Sequence, residues 1–403
     1  MIHVLCRRSF SIPALLHFRG PTTSRFAESY LLRLLKCRAG IGRRVFSSAD
    51  LSAGQKVVGW WLIGCAGSVY VAVLLGGVTR LTESGLSMVD WHLIKGMRPP
   101  TSDAAWEEQF LKYKMYPEYK YKTTRSGDDM SLAEFKFIWQ MEYAHRMWGR
   151  TVGLLFLLPA AYFWARGRFS SSLKKRIVAA GGLLMFQGLL GWYMVKSGLG
   201  GSQENNPPRV SQYRLAAHLG SAFVLYSIFL WSGLTQLTKP YNHSIIPGIG
   251  RLRALTHLSK ATMFTTAIFG AFVAGLDAGL VYNSWPKFAD RWVPTDLWTK
   301  VPSWRNFTEN PVMVQFTHRA LAYATLAGVT GAWLVGCRLM LPPRTRILLH
   351  TVLVTAYAQA GLGILTLLHY VPVSLAALHQ SGFMALFTAI LWLGNTIRRI
   401  PVK

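Results

Sequence analysis

Four histidines recur at equivalent places in this 403-residue chain. Each is placed about one turn inside the same end of a different apolar segment. They are His145, His218, His318 and His379. Neutral imidazole is a common axial ligand of haem iron, and two imidazoles that project from facing helices can hold one haem between them. The sequence therefore predicts two haem sites at one depth, with these four histidines as iron ligands.

Two of the histidines share a local motif, because the pentapeptide 142–146 (Glu-Tyr-Ala-His-Arg) returns at 315–319 as Gln-Phe-Thr-His-Arg. The three-residue spacing places Glu142 on the helix face of His145, where it would meet the edge of a bound porphyrin. The second half has the uncharged Gln315 at this position. We therefore expect only the first half, which carries the acid Glu142, to carry out chemistry.

An arginine directly follows each motif histidine. Near a membrane interface, Arg146 and Arg319 can either extend to lipid headgroups or pair with a haem propionate, and the sequence leaves both readings open. Arg146 also lies four residues after Glu142, so a plain salt bridge is the alternative to a catalytic acid. Glycines such as Gly149 and Gly382 lie near the histidines and would let a macrocycle approach the backbone; close helix packing is the other reading.

Composition places these residues in a membrane. The chain is 51% hydrophobic and 15% charged, and its apolar stretches are long enough to cross about 30 Å of hydrocarbon. Eight stretches are predicted, at about 57–78, 140–165, 176–196, 213–237, 258–281, 312–340, 346–369 and 376–397. The predicted fold class is an all-α transmembrane bundle.

The chain also repeats itself. Residues 187–191 (Gln-Gly-Leu-Leu-Gly) return at 359–363 as Gln-Ala-Gly-Leu-Gly, in addition to the two histidine motifs. We therefore expect two tandem four-helix halves, 50–237 and 250–399, related by a parallel repeat.

The net charge of +27 has a distribution that favours a membrane over nucleic acid. Residues 1–46 are rich in arginine and poor in acid, which predicts a mitochondrial transit peptide cut after Phe46; a basic tail on anionic lipid is the alternative. The loops around 166–176, 239–260 and 338–346 are basic without acids, whereas 79–139 and 282–311 mix both signs. The positive-inside rule then places both termini in the matrix and the histidines in the outer leaflet.

Several motifs together resemble one family. Residues 76–87 (Gly-Gly-Val-Thr-Arg-Leu-Thr-Glu-Ser-Gly-Leu-Ser), 212–218 and 275–283, together with the Glu-x-x-His-Arg motif, closely resemble the haem A synthases of mitochondrial cytochrome oxidase assembly. The resemblance implies an inner-membrane oxidoreductase that acts on a CH group, converting the ring methyl of haem O to a formyl group.

The resemblance also implies roles for the two halves. His145 and His218 would bracket haem O, His318 and His379 would ligate a resident haem b, and Glu142 would be the catalytic residue. The implied partners are the farnesyltransferase that supplies haem O, an electron-transfer protein such as a ferredoxin, and membrane lipid. A homo-oligomer is left open.

Two other functions fit part of the pattern. A dihaem b-type electron-transfer subunit would explain the four histidines but does not need a single acid in one half. A transporter built from repeats would explain the symmetry but not the paired histidines.

Overall fold

The computed structural model describes residues 51–90, 98–199, 208–239 and 241–399. The predicted transit peptide lies outside these ranges. Within them the chain is helical, and the one isolated β-bridge joins Phe288 and Arg291. The helices are α1 (Ala53–Leu81), α2 (Asp103–Lys114), α3 (Pro117–Ser126), α4 (Leu132–Ala165), α5 (Ser171–Leu199), α6 (Gln212–Leu237), α7 (Ile249–Gly275), α8 (Asn306–Glu309), α9 (Pro311–Cys337), α10 (Pro343–Leu368) and α11 (Val373–Thr396).

Seven of these helices are long and apolar enough to cross a membrane, namely α1, α5, α6, α7, α9, α10 and α11. Seven of the eight predicted spans are thus confirmed by length and composition. The 34-residue α4 is not among them, because charged and polar residues such as Arg150 lower the hydropathy of its apolar part.

Local sequence fixes where the histidine-bearing helices begin. At α4, Ser131 and Glu134 form a capping box, in which each side chain accepts a hydrogen bond from the other's backbone N–H. At α9, the side chain of Asn310 accepts from Val312 N and Met313 N, and Pro311 occupies the first helical position. These caps fix where the two helices begin, and thus how far along each helix His145 and His318 lie.

The long helices pack in two similar groups. In the first half, α1 packs against α4 and α6, and α5 packs against α6; in the second, α7 packs against α9, and α10 packs against α9 and α11. The halves meet where α6 packs on α7 and where α11 packs on α1 and α6; α11 also packs on α7 within the second half. Gln380 Nε2 donates to Val73 O at 3.0 Å across this interface. Buried apolar residues of both groups also form one continuous core.

All acidic residues that the structure describes lie between 83 and 142 or between 277 and 309, at the end of the bundle where α1 and α7 finish and α4 and α9 begin. We call this the acidic end. Asp277 joins the two halves there, with Oδ1 2.9 Å from Arg80 Nη2 and Oδ2 3.2 Å from Arg209 Nη1. The described loops at the opposite end carry only basic charges.

A small helical cap covers the acidic end of the first half. It is formed by α2, α3 and the start of α4, and its core contains Trp106, Phe110, Tyr113 and Phe135. The segment 79–139, predicted as a loop, thus contains the two helices α2 and α3. Buried Glu118 accepts a hydrogen bond from Tyr113 Oη at 3.1 Å and faces Lys122 Nζ at 3.4 Å. Burial raises the pKa of Glu118 to about 7, despite the opposing effect of Lys122.

Candidate haem-binding sites

The four histidines lie on the four helices that begin at the acidic end, α4, α6, α9 and α11. His145 lies near enough to His218 in the first half to act on it electrostatically, and His318 lies near enough to His379 in the second half. All four side chains are half-buried. The histidines of each half thus lie near each other, in the pairs that the family resemblance implies; that each pair holds a haem stays a prediction.

A glycine on the neighbouring helix faces each histidine ring. If each glycine carried a Cβ, that atom would lie close to the Cε1 of the ring. The four pairs are Gly76 with His145 at 2.9 Å, Gly191 with His218 at 3.5 Å, Gly270 with His318 at 3.2 Å, and Gly363 with His379 at 2.8 Å. Because glycine has no Cβ, each imidazole can lie directly against the backbone of the neighbouring helix.

The hydrogen-bond partners of the histidine Nδ1 atoms differ between the two halves. His318 Nδ1 lies 2.9 Å from Thr266 O, and His379 Nδ1 lies 3.1 Å from Gln359 Nε2. In the first half, Nδ1 of His145 and Nδ1 of His218 are buried without a hydrogen-bond partner. The backbone of Ala72 approaches the His145 ring, but no hydrogen bond of acceptable geometry forms. The second-half imidazoles are therefore the more firmly oriented pair.

Glu142 and Arg146 clamp the segment that follows α1. Oε2 of Glu142 accepts from Ser87 Oγ and from Met88 N, both at 2.8 Å. Oε1 faces Arg146 Nη2 at 2.7 Å, and the same Nη2 donates to Met88 O at 2.9 Å. The salt bridge given as the alternative reading is therefore present, as part of a network that holds the backbone of Met88 from both sides.

The second half repeats this clamp without a charge pair. Gln315 Nε2 and Arg319 Nη2 both donate to Tyr282 O at 3.1 Å. The guanidinium of Arg319 also lies over the ring of Phe288, 4.1 Å from its centroid. Gln315 Oε1 and Arg319 Nη1 remain buried without a partner. A buried guanidinium N–H with no acceptor is costly, and it is the feature expected beside an anionic group.

The side chains present fit two haems. Each pair could supply two imidazole ligands to one haem, and near the second pair Gln315 Oε1, Arg319 Nη1 and Gln359 Oε1 are buried without a partner. A Cβ at Gly149 or Gly153 would meet nothing within 4 Å, so open space continues along α4 from His145. Within the described ranges, no group of three or more His, Cys, Asp or Glu residues could hold a bare metal ion. This donor set suits haem better than a protein-ligated metal cluster.

Comparison with known protein families identifies the family of this chain. Residues 59–391 match the model of the COX15-CtaA family, described as cytochrome oxidase assembly protein. The chain belongs to the COX15-CtaA family.

Relatives of this COX15-CtaA protein carry one functional name. The chain is 57% identical over 355 residues to Heme A synthase COX15 of Bos taurus, covering 88% of this chain and 85% of the relative. It is 42% identical to Heme A synthase COX15 of Saccharomyces cerevisiae (87% and 77% covered) and 40% identical to Heme A synthase of Rhodospirillum centenum (86% and 90% covered). These names do not favour the dihaem electron-transfer alternative.

Sequence reasoning missed several residues of the site. It pointed to glycines on the histidines' own helices, whereas the contacting glycines lie on the helices that pack beside them. Gly191 and Gly363 stood in the repeated Gln-x-x-x-Gly motif, which was the available signal. Nothing in the sequence indicated that Glu142 would bind the backbone of Met88.

Proposed function

We propose that this chain is a haem A synthase, an oxidoreductase that converts the ring methyl of haem O to a formyl group. The observation that carries the proposal is the pair of matched histidine sites, each ring lying against a glycine of the next helix. The names of the relatives supply the reaction. With water as the oxygen source, the oxidation R–CH3 + H2O → R–CHO + 4H+ + 4e− requires a group that takes up protons and an electron-transfer partner that accepts the four electrons.

In the proposed first-half site, His145 and His218 hold haem O. The unpartnered Nδ1 of His218 suits a ligand that must release its product. Glu142 is the proposed catalytic residue, because it stands one turn from His145 on the same face. Its carboxylate accepts three hydrogen bonds, so we expect it to act as an anion that takes up a proton or stabilises positive charge at the methyl carbon.

In the proposed second-half site, His318 and His379 hold a resident haem b. A bound haem b supplies one-electron transfer. The orphaned Nη1 of Arg319 is the proposed partner of a propionate. Arg146 is the matching candidate in the first half, although its guanidinium already bonds Glu142 and the carbonyls of Met88 and Asp90. Its main role would be to hold the segment that contains Met88 and Asp90 against α4.

We further propose that α4 is the eighth span, since it packs on α1 and α5 in the place that α9 takes beside α7 and α10. The two halves would then be parallel four-helix repeats. The acidic end would face the intermembrane space and the basic end the matrix of mitochondria, following the positive-inside rule. Residues 1–46 would be the transit peptide that directs the chain there.

The proposed partners follow from the reaction. A farnesyltransferase must supply haem O, and an electron-transfer protein such as a ferredoxin must exchange electrons with the site. The lipid bilayer surrounds the bundle, and a homo-oligomer is compatible with the exposed helix faces.

Replacement of the histidines tests the division between halves. His318→Leu or His379→Leu should abolish most of the low-spin haem spectrum of protein purified from cells that make no haem O. His145→Leu or His218→Leu should leave that spectrum largely intact. Equal loss from both pairs would contradict the assignment of a resident haem to the second half.

A further inference from the structure

A glutamine on the neighbouring helix approaches one histidine of each half, and the two glutamines bond differently. Gln187 of α5 donates from Nε2 to His218 O at 3.1 Å and to Ser221 Oγ at 2.7 Å. Gln359 of α10 donates to His379 O at 2.8 Å, and its Nε2 lies 3.1 Å from His379 Nδ1. Only the second glutamine therefore reaches the imidazole.

One residue accounts for this difference. Ser221 stands three residues after His218, and its hydroxyl takes the amide of Gln187. The same position after His379 is Gly382, which has no hydroxyl to offer. A Cβ at Gly382 would overlap Oε1 of Gln359. A serine there would both crowd the amide and offer it another partner.

Iron binding requires an acceptor at the second ring nitrogen. When Nε2 of an imidazole ligates iron, Nδ1 carries the proton and needs a hydrogen-bond acceptor that fixes the tautomer and the ring plane. A half turn of the Gln359 amide would bring Oε1, which is buried without a partner, to His379 Nδ1, and it would give up the hydrogen bond from Nε2 to His379 O. His218 Nδ1 has no partner, since Ser221 holds the amide of Gln187.

We propose that Gln359 is a positioning residue for His379 and that Gly382 permits this role. Ser221 binds the amide of Gln187 and thereby prevents Gln187 from positioning His218 in the same way. His379 is thereby a fixed ligand and His218 a releasable one, so haem leaves the first half by detachment from His218. The inference rests on the proposed function, because it requires a retained haem in one half and an exchanged haem in the other.

The test compares Gln359→Leu with its repeat counterpart Gln187→Leu in full-length protein purified in detergent from cells without haem O. Two properties of the resident haem are measured: its rate of transfer to excess apomyoglobin, and its reduction potential. Loss of a ligand's outer partner weakens metal binding about 10- to 100-fold. Gln359→Leu should therefore raise the transfer rate by about tenfold or more and raise the potential, whereas Gln187→Leu should change neither.

Two further variants separate positioning from a packing defect. Gln359→Glu keeps an acceptor at Nδ1, so it should retain haem and lower the potential, the opposite direction to Gln359→Leu. Gly382→Ser should reproduce the faster transfer seen with Gln359→Leu. In protein loaded with haem O, Ser221→Gly should slow the transfer of that haem, because it frees Gln187 to approach His218.

The outcomes distinguish this inference from the proposed function. Wild-type protein that retains no haem b would contradict the proposed function. Two outcomes would overturn the positioning role alone. In the first, haem b is retained and its transfer rate and potential are the same in the wild type, Gln359→Leu and Gln187→Leu. In the second, Gln359→Glu and Gln359→Leu shift the potential in the same direction.

Discussion

Adding one methyl group at Gly363 should displace a haem ligand. A Cβ at this position would lie 2.8 Å from His379 Cε1, 3.4 Å from Nδ1 and 3.5 Å from Nε2. Carbon atoms in contact prefer about 3.5–4.0 Å, so the ring must withdraw by about 1 Å. Metal–ligand distances tolerate only about ±0.2 Å, and withdrawal would also break the 3.1 Å approach to Gln359. We therefore expect Gly363→Ala to lower haem b retention by about tenfold or more.

Gly361→Ala is the matched control, since a Cβ there meets nothing within 4 Å on the same helix. Both changes raise intrinsic helix propensity by about 0.5–1 kcal/mol, so poorer helix formation cannot explain a loss of haem from only one of them. The assay is the pyridine haemochrome of purified protein, expressed per mole of chain. Full haem content and an unchanged low-spin spectrum in Gly363→Ala would refute the idea that the glycine sets the position of the ring.

Three other predictions concern the acidic end. Glu142→Gln should leave haem O bound but reduce haem A formation about 10²-fold or more; near-normal formation would remove Glu142 from the chemistry. Because the pKa of folded Glu118 is about 7 and its ordinary value is 4.5, the folded cap holds a proton that the unfolded chain releases, so cap stability should fall as pH rises from about 4.5 through 7. Limited proteolysis of the cap at pH 5.5 and 8 should show this difference in the wild type and not in Glu118→Gln; equal pH sensitivity would contradict it. A protease site inserted near Gly127 should be cleaved in mitoplasts while a C-terminal tag is protected; a protected insert would reverse the proposed orientation.

The features that follow from periodic hydropathy were predictable. Apolar stretches located seven membrane-length helices, and the repeated motifs located four histidines that the structure gathers in two pairs. The pattern could do this because a side chain's depth is fixed by its distance along one helix. The spacing of Glu142 and Arg146 likewise predicted their salt bridge as one of two readings, since residues four apart on a helix are neighbours.

Contacts between distant segments were not predictable in this way. The clamp on Met88 joins residues more than 50 positions apart, and the glycine facing each histidine belongs to another helix. The cap was missed because α2 and α3 are short and rich in charge, so their helical pattern does not stand out from a mixed-charge loop. The difference between Ser221 and Gly382 becomes meaningful only when the neighbouring glutamines are seen beside them.

The conversion of haem O itself tests the account most directly. The full-length protein and a His145→Leu, His218→Leu double variant would be produced in cells that make haem O but have no other haem A synthase, and the extracted membrane haems identified by mass. We predict that the wild type yields haem A, with its formyl group in place of the methyl, and that the double variant retains haem b but yields only haem O. Unchanged haem O in the wild type, with haem b in both sites, would contradict the proposed function and favour an electron-transfer subunit.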